Sequence, residues 1–309
     1  MSIKEEYSRR DFLKIAIAAS GSIFAPASTM ANVVAESPSK NSEQPLLPKR
    51  PFGKTGVNVS MLALGGYFDA LNNQPLLKEA IRLGVTYWET VYSLDAGIEG
   101  YGYYFKSNPD DRKNVFLSAK TDSIYPKMME QDLNDALRIL HTSYVDSFMI
   151  HAVSNIDCLN SEIKSWVEQT KAINKVRFFG FSTHANMEEC MIQASKLSWI
   201  DGIMTSYNYR LMHTEQMKRA IEACAKAGIA LTAFKSQAVV LNPAGTIGIE
   251  SETALKLTDP FLKKGFTLQQ AKLKAIWENP YVSSICSLMP NMTILLSNVA
   301  APLTERSFH

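Results

Sequence analysis

The sequence lacks three features that would point to particular classes of protein: closely spaced cysteines, a block of like charges and a long apolar run. Its four cysteines include no C-x-x-C pair, which argues against a zinc ribbon or an iron–sulfur cluster. The net charge of +2 is spread without a single-sign block, so we expect no nucleic-acid partner. No apolar run reaches the length of a bilayer-spanning helix, so we expect no stable membrane span.

What is present is the composition of a globular, core-forming chain. Of the 309 residues, 46% are apolar and 20% are charged, which is close to the average for folded domains. The five histidines show no spacing typical of metal ligands, so we expect neither a metal nor an iron–sulfur cluster. The sequence predicts buried thiols at Cys158, Cys190, Cys224 and Cys286.

The first 35 residues have the order of a secretory signal: a basic region, a short apolar region and then small residues. Arg9 and Arg10 precede Phe12-Leu13-Lys14, which resembles the twin-arginine consensus. The uncharged run from Ile15 to Ala27 is too short to span a bilayer, and an amphipathic N-terminal helix is the alternative. The predicted division is a cleavable signal peptide at 1–35, a linker at 36–47 and a barrel domain at 48–309.

A twin-arginine signal carries functional information. That pathway exports proteins that are already folded, often with a cofactor loaded in the cytoplasm. We therefore expect a bacterial protein located in the periplasm or outside the cell. The twin-arginine translocase is its expected partner during export, and a bound redox cofactor is favoured.

Short β-branched or aromatic runs alternate with segments whose apolar residues recur at helical spacing. The predicted strands lie near Met61–Leu64, Val85–Thr90, Asn114–Lys120, Val145–His151, Val176–Thr183, Gly202–Tyr207, Ile229–Phe234 and Val282–Ser287. Pro126 indicates a helix start, Gly228 a helix end, and Thr267 with Gln270 a capping box. This alternation fits a parallel (β/α)8 TIM barrel, and a doubly wound open sheet is the alternative.

Polar and ionisable residues stand at the carboxyl ends of the predicted strands, which meet at one face of a barrel. Together with the aromatic Phe234, these strand ends offer Glu89, Lys120, His151, Ser182, Thr183, Tyr207, Asn208, Lys235 and Ser287. A buried lysine flanked by a carboxylate and a histidine is an arrangement that handles protons. Alternatively, Glu89 and Lys120 form a structural ion pair, and His151 is a hydrogen-bonded core histidine.

From Arg50 to about Leu303 the sequence resembles the aldo/keto reductases. The segments that carry the resemblance follow the family's order: an opening hairpin at 50–60, Trp88-Glu89-Thr90, Phe116 to Lys120, Asp146 to His151, Phe179 to Thr183, and Tyr207-Asn208. It looks closest to a twin-arginine-exported branch with a partly altered active site. The resemblance implies an NADP(H)-type oxidoreductase that transfers hydride between a nicotinamide cofactor and an unknown small carbonyl or alcohol substrate.

The resemblance also implies roles for four proton-handling residues. Lys120 matches the lysine that lowers the pKa of an acidic tyrosine, and His151 matches the histidine that orients substrate. Glu89 stands where the family has an aspartate paired with the lysine. The family's tyrosine position is Leu94 here, so Tyr92 is the expected proton donor. The weaker candidates for that role are Tyr101, Tyr103 and Tyr104.

The resemblance places a cofactor against Ser182, Thr183, Tyr207, Phe234, Lys235, Ser287 and Asn298. Phe234 offers an aromatic face that can stack on the nicotinamide ring. Thr183, Met204 and Leu288 each stand where the resemblance implies a residue that contacts the cofactor, so each removes one contact. The arginine that contacts the 2′-phosphate is also missing. We therefore expect NADP or NAD to bind weakly, without strong preference for the phosphorylated form.

These departures leave two functional hypotheses. The retained Lys120 and His151 favour an enzyme. Leu94 and the altered last loop favour a barrel that has lost the chemistry and serves as a binding or accessory protein. The fold alone does not choose between them.

Overall fold

The computed structural model describes residues 46–90, 97–237 and 252–303. The predicted signal peptide at 1–35 lies outside these residues, as does all of the predicted linker except its last two positions. Tyr92 and Leu94 also lie outside them.

The described strands form a two-stranded hairpin and a closed barrel. Their bounds are β1 Lys49–Pro51, β2 Asn58–Ser60, β3 Leu62–Gly65, β4 Tyr87–Glu89, β5 Phe116–Thr121, β6 Val145–Ile150, β7 Val176–Thr183, β8 Gly202–Ser206, β9 Ala230–Phe234 and β10 Val282–Leu288. Strands β1 and β2 pair in an antiparallel hairpin, and β3 to β10 are parallel neighbours in sequence order. Because β10 pairs with β3 as well as β9, the ring closes. The predicted (β/α)8 barrel is confirmed, and the open-sheet alternative is wrong.

Helices connect the barrel strands and cover the outside of the ring. The described helices are α1 Gln74–Arg82, α2 Gly97–Ser107, α3 Pro126–Ile139, α4 Ser161–Ala172, α5 Met187–Ala194, α6 Glu215–Ala227, α7 Glu252–Leu262, α8 Leu268–Trp277 and α9 Met292–Leu303. Two short 3-10 helices lie at Pro109–Asn114 and Ile156–Cys158. Among the described helices, none combines the length and apolar character needed to cross a membrane.

The predicted helix boundaries are confirmed. Helix α3 begins at Pro126, whose missing N–H costs nothing in the first turn. Helix α6 ends at Gly228, which takes a left-handed conformation with φ of 73° that glycine adopts without strain. Thr267 and Gln270 exchange the two hydrogen bonds of a capping box at the start of α8.

The hairpin closes the amino-terminal end of the barrel with one aromatic side chain. The ring of Phe52 is fully buried, and its centroid lies 4.8 Å from that of Phe116 and 5.8 Å from that of Phe178. Gly202 permits this approach, because a Cβ there would lie 2.6 Å from a Phe52 ring atom. The floor of the barrel is therefore solid and apolar.

A buried ion cluster lies near the same end, at the start of β6. Asp146 accepts from Arg112 Nη2 at 3.1 Å, from Arg177 Nη1 at 2.6 Å and from the Leu117 backbone N–H at 2.9 Å. The side chains of Asp146 and Arg112 are 3% and 8% exposed. Both carboxylate oxygens are thus satisfied, which is the condition for a buried charge to be tolerated.

The four cysteines are free thiols. Cys190, Cys224 and Cys286 are buried, and burial raises the pKa of Cys224 to about 12. The prediction that all four are buried is wrong for Cys158. That residue is half-buried because it ends a short 3-10 helix outside the barrel wall.

Candidate active site

The carboxyl-terminal end of the barrel holds a buried ion pair between neighbouring strands. Glu89 is the last residue of β4, Lys120 lies near the end of β5, and these strands pair with Glu89 opposite Ser118. Because side chains alternate along a strand, Ser118 and Lys120 share the inward face. The Lys120 Nζ donates to Glu89 Oε1, and the two side chains are only 3% and 11% exposed.

The environment of Lys120 works against its charge. Burial lowers the pKa of its amine to about 8, although the nearby Cys286 and Asp122 groups favour the ammonium form. An amine that titrates close to neutral pH can hold or release a proton under ordinary conditions. This is a property of functional lysines rather than of surface lysines.

His151 lies at the next strand end and is oriented by a carboxylate. Its Nδ1 lies 2.7 Å from Asp122 Oδ1, and the two side chains are 18% and 47% exposed. The carboxylate can only accept, so the geometry assigns a proton to Nδ1. The other ring nitrogen, Nε2, is then the one left to exchange a proton or a hydrogen bond with a ligand.

A second histidine stands beside the first. The ring centroid of His184 lies 5.5 Å from that of His151 and 4.6 Å from that of Phe234, edge to face in both cases. Although His184 is an exposed residue, partial desolvation in this crowded mouth lowers the pKa of its ring, helped by the charges of Lys235, His151 and Lys120. His184 is therefore a neutral ring that links the proton-handling groups to Phe234.

The two expected cofactor residues on β7, Ser182 and Thr183, make different hydrogen bonds. Ser182 Oγ accepts from the Ala152 backbone N–H at 3.0 Å, which leaves its O–H able to donate. The Thr183 hydroxyl donates to Ala185 O at 3.1 Å and is fully buried. Both residues are buried, and of the two only Thr183 has its hydroxyl hydrogen placed in a described hydrogen bond.

The expected cofactor residues at the ends of β8 and β9 lie in two different places. The half-buried ring of Phe234 has Lys235 Nζ 5.8 Å from its centroid, and desolvation lowers the pKa of that lysine. The hydroxyl of Tyr207 accepts from Asn279 Nδ2 at 3.0 Å, and the residue is 3% exposed. Phe234 and Lys235 thus lie at the mouth with His184, whereas Tyr207 is held in the core.

Ser287 and Asn298 form a closed hydrogen-bond triangle with Gln237. The Ser287 hydroxyl donates to Gln237 Oε1 at 2.7 Å, Asn298 Nδ2 donates to Ser287 Oγ at 3.1 Å, and Gln237 Nε2 donates to Asn298 Oδ1 at 3.0 Å. The triangle joins the segment after β9 to β10 and α9. Its polar atoms largely satisfy one another.

The further tyrosine candidates lie on helix α2. Tyr101 is buried against Trp88 with its hydroxyl 3.3 Å from Leu64 O. The Tyr104 hydroxyl bonds Asp111 at 2.7 Å, and Tyr103 is 53% exposed on α2. The preferred candidate, Tyr92, lies outside the described residues.

Four residues beside the predicted site residues were not predicted to belong to the site: Asp122, His184, Gln237 and Cys286, the last of which was predicted only as a buried thiol. Cys286 lies on the inward face of β10 with Sγ 3.5 Å from Glu89 Oε2. Each follows or precedes a predicted site residue by one or two positions, so listing whole strand ends would have found them. Within the described residues, no group of three or more His, Cys, Asp or Glu side chains is placed to hold a metal ion.

A cavity of about 550 Å3 lies at the opposite end of the barrel, beside the hairpin and the end of α6. It is lined by Arg50, Lys54 and Lys226, and by none of the strand-end residues above. This cavity is therefore separate from the candidate site.

A sequence profile described as the aldo/keto reductase family matches residues 60–238, which is more than half of the chain. The holo form of the aldo-keto reductase AKR11C1 from Bacillus halodurans superposes with a TM-score of 0.69 at 19% identity, over 84% of this chain and 91% of that one. The thermostable aldo-keto reductase Tm1743, in complex with the inhibitor epalrestat, gives 0.66 at 23% identity, over 84% and 95%. At these identities the likeness shows the fold. A search of curated proteins finds no match.

Proposed function

The chain belongs to the aldo/keto reductase family, and we propose that it transfers a hydride between a nicotinamide dinucleotide and a small carbonyl or alcohol compound. The observation that carries the proposal is the buried contact between Lys120 and Glu89 at the mouth of the barrel, next to His151. A charged pair in this position has a use in reduction, because negative charge develops on the substrate oxygen and must be stabilised.

Each charged or titratable side chain of the site has a proposed role that follows from its position. The ammonium group of Lys120 supplies positive charge, and Glu89 holds it in place. Asp122 fixes the ring of His151 with Nδ1 protonated. In the imidazolium form the Nε2–H can then donate a hydrogen bond or a proton to the substrate oxygen. The buried surroundings of Lys120 and Glu89 strengthen the interaction between them.

The chain fits a nicotinamide ring better than it fits a 2′-phosphate. Phe234 and the O–H of Ser182 would hold the ring, with Lys235 beside them, and a bound dinucleotide supplies or accepts the hydride. From Leu288 to Leu303 there is no lysine or arginine, and Ser287 and Asn298 are engaged in the triangle. We therefore expect weak binding of NADP or NAD with little preference for the phosphorylated form.

The first test is cofactor binding. NADPH and NADH are titrated into the purified mature chain while quenching of tryptophan fluorescence is followed, and we expect both to bind weakly with similar affinity. Micromolar binding of NADPH alone would contradict the lost preference. No binding of either at millimolar concentration would leave the second hypothesis, a binding barrel without the chemistry, which the internally bonded Thr183 and Ser287 favour.

The second test is turnover. NADPH consumption is measured against a panel of aldehydes, ketones and dicarbonyl compounds for the wild type, K120M and K54M. Loss of the Lys120 charge is expected to lower kcat by about 10²–10⁴-fold. Lys54 is the matched control, because its amine caps Ala227 O on the hairpin side, remote from the site. Equal turnover in K120M and the wild type would reject the assignment.

We keep Tyr92 as the proposed proton donor. Replacing Tyr92 by Phe removes only the hydroxyl, so kcat should fall by about 10²–10³-fold with little change in KM. Tyr103→Phe is the control, since Tyr103 is exposed on α2. An unchanged kcat in Y92F would transfer the role of proton donor to His151.

We also propose export through the twin-arginine translocase to the periplasm or the exterior, on the basis of Arg9 and Arg10 in the segment 1–35. The test is to replace both arginines with lysine and fractionate the cells. Retention of the full-length precursor in the cytoplasm is expected, and unchanged export would reject the proposal.

A further inference from the structure

We propose that Cys286 is a positioning residue for the Glu89–Lys120 pair, donating its S–H to the carboxylate oxygen that the lysine does not use. This inference rests on the function proposed above. The Cys286 Sγ lies 3.5 Å from Glu89 Oε2, while Lys120 Nζ occupies Oε1. The thiol and the amine therefore hold the carboxylate by its two different oxygens.

Strand register brings the thiol to this position. Strand β10 pairs with β3 so that Cys286 lies opposite Ala63 and Leu288 opposite Gly65. Strand β3 in turn pairs with β4, with Gly65 opposite Glu89. Cys286 thus reaches across the end of β3 to the last residue of β4.

The intervening glycine makes this reach feasible. A Cβ at Gly65 would lie 3.3 Å from Cys286 Sγ and 3.7 Å from Glu89 Oε2. The thiol–carboxylate contact therefore passes over a position without a side chain. A glutamate is one methylene longer than an aspartate and has one more torsion to fix, and the thiol provides the second contact that fixes it.

The ionisable groups around Cys286 affect whether its thiol keeps its proton. The ionisable groups that interact with it from the neighbouring strands are Glu89, Lys120 and Tyr87. Desolvation lowers the pKa of Lys120 and raises the pKa of the buried Tyr87 hydroxyl, and a negative charge on Cys286 opposes the first shift and adds to the second. Ionisation of Cys286 is therefore coupled to the charge of Lys120, and the neutral thiol is the form that donates to Glu89.

The contact is tested without reference to turnover by alkylating Cys286. Iodoacetamide labelling at pH 7 is followed peptide by peptide with mass spectrometry in the wild type, E89Q and K120M. A thiol freed from an anionic acceptor and left beside an ammonium ion forms the reactive thiolate more readily, so E89Q should label Cys286 about five- to tenfold faster. K120M should label it more slowly. Cys158, half-buried outside the barrel, is the internal control and should label at the same rate in all three proteins.

The role in the reaction is tested with two substitutions that differ in one atom. Cys286→Ser keeps a hydrogen-bond donor, and Cys286→Ala removes it. We expect C286A to lower kcat about five- to tenfold, with unchanged KM and a shifted pH profile of kcat, because the Glu89–Lys120 geometry is loosened. C286S should restore both the rate and the profile.

The outcomes separate this inference from the proposed function. Unchanged labelling of Cys286 in E89Q overturns the thiol–carboxylate contact. Wild-type kcat and pH profile in C286A overturn the positioning role. If E89Q and K120M label Cys286 at the expected rates but the wild type reduces no carbonyl compound, the thiol–carboxylate contact stands and the proposed reductase function is rejected.

Discussion

The two ends of the barrel each bury a carboxylate, and the two carboxylates are held in different ways. Asp146, near the amino-terminal end, accepts from Arg112, from Arg177 and from a backbone N–H. Glu89, at the carboxyl-terminal end, is held by Lys120 and Cys286. Both carboxylates face the same cost of burial, but only the first is surrounded by groups with permanent charge.

The two ends differ in the cationic residue that pairs with the buried carboxylate, which is arginine at one end and lysine at the other. Arg112 stays charged at any accessible pH and also donates to Val115 O and Tyr144 O, so its cluster has one state. Lys120 has its pKa lowered to about 8, so its pair has two accessible protonation states. The comparison teaches that burial of an ion pair alone does not indicate function. A buried pair whose cation can lose its proton is a candidate functional site.

The largest expected effect comes from replacing the upper pair with apolar residues of similar shape. The double variant Glu89→Leu, Lys120→Met should lose turnover by about 10³-fold or more. Its free energy of unfolding should stay equal or rise by about 1–3 kcal/mol, because two desolvated charges are removed together. Urea unfolding and NADPH consumption measure the two quantities. A loss of stability beyond about 2 kcal/mol would mean that the upper pair holds the fold together as the lower cluster does.

The second effect concerns the lower cluster. Asp146→Ala leaves the buried Arg112 without its carboxylate, so the free energy of unfolding should fall by about 3 kcal/mol. Turnover of the folded fraction well below the melting temperature should be unchanged. Asp135→Ala is the control, because its pair with Arg138 is on the surface and its removal should cost less than about 0.5 kcal/mol. Equal stability of the two variants would remove the structural role assigned to Asp146.

The third effect is a pH dependence that only the upper end should show. As pH rises through about 8, Lys120 loses its proton, so kcat/KM should fall about tenfold per pH unit above that value. Stability changes in the opposite direction. The pKa of the folded state is below the ordinary value of 10.5, so between pH 8 and 10.5 the unfolded chain binds more protons and the contribution of this group to stability increases with pH.

K120M removes the titrating amine and serves as the reference for both profiles. The difference in free energy of unfolding between the wild type and K120M should therefore move in favour of the wild type from pH 8 to 10.5. A difference that does not vary with pH, together with a flat kcat/KM profile in the wild type, would show that Lys120 keeps its proton throughout.

The smallest effect is expected at the edge of the site. Asp122 is about half exposed, so its loss to Asn should leave stability within about 0.5 kcal/mol. The His151 ring would then face an amide oxygen that can still accept but carries no negative charge, and kcat should fall about five- to tenfold. Asp157→Asn, in the short 3-10 helix Ile156–Cys158 outside the barrel, is the matched control and should leave kcat unchanged. Identical kinetics in D122N and the wild type would separate Asp122 from the reaction.

The eight strands and the meeting of Glu89 with Lys120 could be predicted from sequence because both depend on local signals. A β-branched run marks a strand, and the end of a strand marks the face where its last side chain lies. The contact of Cys286 with Glu89 could not be predicted in this way, because it depends on the register of three strands that are far apart in sequence. The engagement of Thr183 with Ala185 O was also out of reach, since a hydroxyl's partner depends on the path of its own loop.

The hairpin at the floor has a consequence for how the chain reaches its native state. Arg50 donates to Trp277 O, Asn279 O and Val282 O, which lie 227 to 232 residues further along the chain. During synthesis, the first strands leave the ribosome long before these acceptors exist, and contacts between such distant residues form late and slowly. Anchoring of the hairpin thus waits for the synthesis of the segment from the end of α8 to the start of β10, and a chain truncated before Trp277 would lack all three acceptors.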